Sequence, residues 1–161
     1  MLIVRQATPQ DLDDLARIWF QTASFHYGPI FGGASDDFTI DSCRAWWTSH
    51  VEFGFIAHLD GTAIGSVYGG PESHGHVARL YVLPEVWRSG AGHALAQAAE
   101  ASLARQGFAE VQLWCLAQNE LAHQFWRKRN WVHDGRRVEL KPGIWDFGFA
   151  KKLTVSSTQS E

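Results

Sequence analysis

The sequence predicts an α/β fold of the α+β kind, in which a mostly antiparallel sheet is flanked by helices. Three observations point there. Leu12, Leu15, Ile18 and Trp19 recur at helical spacing, the stripe of a helix laid on a sheet. Two strand-like runs, 53–59 and 62–68, are separated by Asp60-Gly61 alone, a dipeptide suited to a tight hairpin turn with positive φ. The segment from Leu80 to His93 reads as a strand delivered straight into a glycine-containing turn that opens a helix. A chain of 161 residues with 45% hydrophobic content supports one core, expected over residues 1–153, with a small polar disordered tail over 154–161.

Leu2 to Ala7 forms the first strand. Thr8-Pro9-Gln10-Asp11 follows as a helix start, with Thr8 as N-cap, Pro at the first helical position and Asp three residues after the cap. Residues 23–39 mix aromatics with glycines and read as a long irregular loop, whose Phe25, Tyr27, Ile30 and Phe31 either line a pocket or fold back over the core. A second helix runs from about Asp41 to His50. After the hairpin of 53–68, residues 69–73 make a turn, and Gly75 to Leu83 form a central strand. The helix over about 90–106 turns Ala94, Leu95, Ala98, Ala99 and Leu103 inward and stops at Gly107. Val111 to Leu116 is a strand, and 136–140 with 144–151 close the fold as a hairpin across Lys141-Pro142-Gly143.

The turn between Leu83 and His93 carries the chemistry. The first amides of a helix lack intrahelical partners and sit at the positive end of the helix dipole, so they accept an anion such as phosphate. Gly90 and Gly92 let an anion approach the backbone, and Arg88 adds a full charge beside it. The same glycines would also serve a plain strand-to-helix turn. Spacing excludes two other phosphate loops: there is no G-x-x-x-x-G-K-[ST], and Leu95 breaks G-x-G-x-x-G, which sets aside nucleotide triphosphatase and Rossmann dinucleotide chemistry.

On these residues the chain resembles the GCN5-related N-acetyltransferase (GNAT) superfamily, whose signature [QR]-x-x-G-x-[GA] follows a strand and a short Pro-containing link. Gly90 and Gly92 fill the glycine positions, and Trp87 stands where Gln or Arg is usual. A second segment agrees, with Asn119, Ala122 and Phe125-Trp126 after a strand, in place of the family's Asn-x-x-Ala and Phe-Tyr. The resemblance implies a central sheet of about seven strands with about four helices and a splayed central strand pair. It implies acetyl-CoA as acyl donor, its pyrophosphate on Trp87, Arg88, Ser89, Gly90, Ala91, Gly92 and His93. Tyr81, Val82 and Leu83 would lie along the pantetheine arm, and Asn119 and Trp126 would contact the cofactor. An amine on a small molecule or peptide would be the acceptor, met by the region between the first two helices, where Phe25, Tyr27, Phe31 and Trp46 lie.

Attack requires a neutral amine and hence a base. By its place on the strand, His76 matches the position where some histone-acetylating members carry a Glu base, and an imidazole with an ordinary pKa of about 6.5 suits proton acceptance. The alternative is an ordinary half-exposed strand histidine. Trp126 occupies the position where many members carry a Tyr acid, and indole cannot serve as that acid; Tyr81, Tyr27, Tyr68 or water could replace it. His74 and His76 find no recognisable Cys or carboxylate partner for a metal, so no metal is expected. Cys43 and Cys115 are too few and too far apart for a disulfide framework, and Cys115 reads as a small core residue within an apolar strand.

The aromatics suggest an apolar or aromatic acceptor, and Asp36, Asp37 and Glu52 could draw a cation. With 19% charged residues and a net charge of −3, no global field favours nucleic acid. The N-terminal run lacks a signal-like basic region with a long apolar core, and no window approaches a membrane span, so a cytoplasmic protein without a membrane partner is expected. A homodimer is compatible with the resemblance. The competing reading is a cofactor-binding or protein-interaction module of the same fold that has lost catalysis, suggested by Trp87 and Trp126.

Overall fold

The computed structural model describes residues 1–31, 37–72 and 74–154. Eleven principal elements follow in order: β1 (Leu2–Gln6), α1 (Leu12–Phe31), α2 (Ile40–His50), β2 (Gly54–Leu59), β3 (Thr62–Gly70), β4 (Gly75–Val82), α3 (Ala91–Arg105), β5 (Glu110–Leu116), α4 (Glu120–Lys128), β6 (Val132–Lys141) and β7 (Ile144–Lys152). The strands are ordered β1-β2-β3-β4-β5-β7-β6 in one sheet. Pairings β1–β2, β2–β3, β5–β7 and β6–β7 are antiparallel, and β4–β5 is parallel, with Gly75 opposite Val111 and His76 opposite Gln112. This is the mixed, mostly antiparallel sheet with four helices that the sequence implied.

The chain divides into two compact units, Met1–Gly70 with Val77–Ser102, and Pro71–His76 with Leu103–Glu161. In the first, α2 lies on one face of the strands, where Trp47 reaches the backbone of Gly54, and α3 lies on the other. A Cβ at Gly69 would stand 3.1 Å from Ala99 Cβ, and one at Gly65 2.9 Å from Leu95 Cδ1. Gly69 and Gly70 belong to β3 and not to the turn expected at 69–73, and Gly69 is where α3 seats. Leu15, Ile18, Ile56, Val67 and Leu95 are fully buried here. In the second unit, β7 lies between β5 and β6, and Val111, Leu113, Trp131 and Phe149 form the interior. His123 of α4 is buried with Nε2 3.0 Å from Leu116 O.

Local chemistry accounts for the elements. Asp60 and Gly61 both take positive φ, 49° and 85°, closing the β2–β3 hairpin as expected. α1 is longer than expected: the structure corrects residues 23–31 from irregular loop to helix, Pro29 included. Proline removes one N–H from the ladder and crowds the carbonyl a turn earlier, but only two helical residues follow it, and aromatic packing of Phe25 and His26 holds this turn. Residues 32–36 of the expected loop, and residues 155–161 of the expected tail, lie outside the described residues. β6 begins at Val132, four residues before the start expected for the last hairpin.

Thr8 N donates to Asp11 Oδ2 at 2.8 Å and Asp11 N to Thr8 O at 2.9 Å, so the entry to α1 is closed reciprocally. Asp11 is buried and takes a two-pronged bond from Arg5, at 2.7 and 2.8 Å, which with the Thr8 amide holds its carboxyl below the ordinary value of 3.8. The group's folded pKa is depressed, so its stabilisation is present in full above the ordinary value and is lost as pH falls through the folded one. Asp11→Asn is expected to cost on the order of 1–2 kcal/mol at pH 7. Urea titrations should show this difference shrinking as the pH is lowered from 5 to 2, and a gap that stays constant across that range would contradict the assignment.

Candidate functional site

The first unit carries two constellations. One is the path from β4 into α3. Leu83, buried, donates its N–H to Ile64 O at 2.9 Å, which aligns the strand end with β3. Because the peptide is trans, the carbonyl of Val82 points the opposite way, away from β3. The indole Nε1 of Trp87 donates to that carbonyl at 2.7 Å, across the turn of Pro84–Val86. The Trp87 ring is stacked on His26 of α1, with centroids 4.7 Å apart and planes at 18°, and Phe25 meets it edge-on. Burial lowers the His26 pKa. Trp87 therefore clasps the turn to the strand and to α1, a different role from the charged or amide side chain usual at its position.

Arg88 and Gly90 both have positive φ, 70° and 89°, on either side of Ser89, an alternation that curls consecutive amides into a concavity suited to an anion. Ser89 Oγ accepts from Ala91 N at 3.3 Å, and the first i to i+4 bond of α3 is Ala94 N to Gly90 O at 3.1 Å. The amides of Ala91 and Gly92 thus precede the helix's own ladder. A Cβ built on Gly90 would meet nothing nearer than Leu2 Cδ2 at 4.0 Å, so space stands open above that backbone. Arg88 and His93 are exposed at the same turn. These residues fit a pyrophosphate.

The second constellation lies on the α1–α2 side of β4. Arg79 has φ of 56° within the strand, which interrupts the pleat there. Its guanidinium carbon lies 4.2 Å from the Trp19 centroid and 4.8 Å from that of Trp46. Tyr81 is stacked on Trp19 at 6.4 Å and 12°, Phe38 tilts on the same indole, and His50 stacks on Trp46 at 3.8 Å. Tyr68, buried, meets Trp46 edge-on. Sequence reasoning missed Arg79, Trp19 and His50 as site residues. The available signal is an arginine flanked by apolar residues within the strand, and Trp19, which shares the helical stripe of α1, is only half-buried.

Of the acceptor residues expected, Trp46 belongs to this aromatic group, Phe25 stands exposed beside Trp87, and Tyr27 adjoins His26. Phe31 ends α1, half-buried. Asp37 and Glu52 are exposed, and Asp36 lies outside the described residues. In the second unit, His76 is half-buried in the parallel pairing of β4 with β5. Asn119 caps α4, its Oδ1 accepting from Ala122 N at 3.2 Å. Trp126 is buried and packs against Phe125 and Trp131 at 4.9 and 5.3 Å. Among the described residues no group of three His, Cys, Asp or Glu side chains is arranged to hold a metal, and no helix is long and apolar enough to cross a membrane.

Both cysteines are buried, and burial pushes the Cys43 thiol up to about 11 and that of Cys115 up to about 12, the first opposed in part by the charge of Arg79. Neither is a nucleophile near neutral pH. A disulfide-exchange reagent added to the native protein at pH 7.5 is expected to label neither thiol until denaturant is present; rapid labelling of Cys115 in the folded state would show a reactive thiol there and contradict this.

The model of a family described as the acetyltransferase (GNAT) family matches residues 14–131. No curated protein sequence matches significantly. Among solved structures, the PaiA N-acetyltransferase of Thermoplasma acidophilum in complex with coenzyme A is similar with a TM-score of 0.76, at 20% identity over 94% of this chain and 99% of that one. The ribosomal-protein-S18-alanine N-acetyltransferase of Escherichia coli gives 0.76 at 16% identity over 100% and 99%. YncA, a putative acetyltransferase of Salmonella typhimurium with acetyl-CoA, gives 0.74 at 15% identity over 97% and 96%. At these identities the likeness is one of fold.

Proposed function

The chain belongs to the acetyltransferase (GNAT) family, and from that premise we propose that it is an acetyl-CoA-dependent N-acetyltransferase, acting by direct attack of a primary amine of a small molecule or peptide. The observation that carries this reading is the turn from β4 into α3, where the left-handed Arg88 and Gly90 present the amides of a helix start beside open space. Bound acetyl-CoA supplies the activated thioester. The amides of Gly90 and Gly92 hold its pyrophosphate, since those of Ser89 and Ala91 donate to Val86 O at 3.2 Å and to Ser89 Oγ at 3.3 Å, and Arg88 and His93 add charge at the rim. Tyr81, Val82 and Leu83 run beside the pantetheine arm.

His76 takes the proton from the ammonium form of the acceptor, since only the neutral amine attacks. Tyr81 is proposed to return a proton to the departing thiolate. The demand on that acid is modest, because a thiolate with a conjugate acid of about 8.5 is already a tolerable leaving group.

The test is thiol release from acetyl-CoA against amino acids, polyamines, aminoglycosides and peptides with lysine or a free N-terminus, each compared with the amine-free rate. Amine-dependent release is expected, and His76→Ala should lower kcat by about 100-fold or more. Release that never depends on added amine, in samples that bind CoA, would favour the non-catalytic cofactor-binding module. Gly90→Ala forces a Cβ into the left-handed region at a cost of roughly 1–2 kcal/mol. It should raise the KM for acetyl-CoA about tenfold with little change in kcat, and an unchanged KM would remove this turn from the cofactor site.

A further inference from the structure

The arginines of β1, α1 and α2 each have a carboxylate. Arg5 pairs with Asp11, Arg17 with Asp14 and Arg44 with Asp13, and their side chains are 45%, 34% and 48% exposed. Arg79, on β4, has none among the described residues. It is enclosed between two indoles, its Nε is buried without a hydrogen-bond partner, and no carboxylate pairs with it among the described residues. An indole face offsets part of the desolvation of a guanidinium, but it accepts no in-plane N–H, so the buried Nε–H is left without an acceptor. A half-buried cation of this kind calls for an anion.

We infer that Arg79, walled by Trp19, Trp46 and Tyr81, is a carboxylate-binding site that selects acceptors carrying a carboxylate together with an apolar or aromatic portion, as a free amino acid does. This rests on the N-acetyltransferase reading for the identity of the ligand as acceptor. The place along β4 agrees. Arg79 stands four residues before Leu83, about 13 Å at roughly 3.3 Å per residue, which puts it toward the thioester end of an arm running back from the phosphate turn. A carboxylate is favoured over a phosphate because the site offers a single guanidinium. Arg17 and Arg44, the other arginines of α1 and α2, are already paired, and a dianion calls for more than one fixed charge. The walls supply the rest of the specificity, since Trp19, Trp46, Phe38 and Tyr81 present aromatic faces to an apolar side chain.

The experiment is calorimetric titration of the whole protein, with CoA present, using N-acetyl-leucine, N-acetyl-methionine and N-acetyl-phenylalanine beside their primary amides, which differ only in the charge. At least one carboxylate is expected to bind roughly 10- to 100-fold tighter than its amide. That gap should close in Arg79→Gln and be retained in part in Arg79→Lys, which keeps the charge and loses the planar fork. Equal affinity of acid and amide, a gap that survives in folded Arg79→Gln, or no binding of any of the six ligands would overturn the inference. Far-UV circular dichroism checks that the variants are folded, and should Arg79→Gln fail, Arg79→Lys and the wild-type acid-to-amide ratio still decide. The titration needs no turnover. Carboxylate selectivity that depends on Arg79 in a protein showing no amine-dependent thiol release would leave this site standing and refute the transferase reading alone.

Discussion

The close seating of α3 on β3 is the constraint on which the rest depends. An anion site built from helix amides works only if the helix start is held still against the strand that leads into it. Here Leu95 and Ala99 press on positions of β3 that have no Cβ, and the approach is near the limit that atoms permit. A methyl at Gly69 would meet both the side chain and the backbone of Ala99, pushing the helix outward and carrying the turn from Arg88 to Gly92 with it. Gly69 thus acts on the phosphate turn from a distance, through packing rather than contact. The same turn is held from the other side by Trp87, whose ring lies on His26.

Charge is distributed around this frame with economy. Asp11, Asp13 and Asp14 lie in or just before the first turn of α1, where the helix dipole favours carboxylates, and each also holds an arginine. Exposed pairs of this sort contribute little each, and only the Arg5–Asp11 pair combines burial of one partner with a two-pronged geometry. Arg79 differs in kind. Its backbone is left-handed inside a strand and its head group is enclosed by aromatic rings, two departures from local preference at one residue. Part of the compensation is local, since buried Ser66 donates its Oγ–H to Arg79 O at 3.1 Å and two indoles lie against the guanidinium.

Much of the frame could be read from local chemistry. Asp60-Gly61 fixes a hairpin because its two residues accept positive φ, and the cap at Thr8–Asp11 lies within four residues of chain. The errors arose where distant contacts override local signals. Gly28-Pro29 resembles a helix stop, yet α1 continues to Phe31 because its aromatics find partners at Trp87. Gly69-Gly70 resembles a turn, yet it is a strand on which a helix rests. In the site, the glycine turn was legible because amide geometry there is set by adjacent residues. The group around Arg79 was not, since Trp19, Trp46 and Arg79 come from three separate elements and no spacing rule joins them.

The bond from the Trp87 indole to the Val82 carbonyl has a consequence for exchange at the strand end. That carbonyl points away from β3, the direction from which an extended ligand would pair with the strand. An arriving amide N–H there replaces one hydrogen bond with another of similar strength, so the net gain at this atom is small. Tethered by five residues of chain, the indole competes at a high effective concentration that no dilution lowers. The protein thereby carries its own competing occupant at the end of β4, one that limits residence time there and returns the strand to a satisfied state as soon as a ligand leaves.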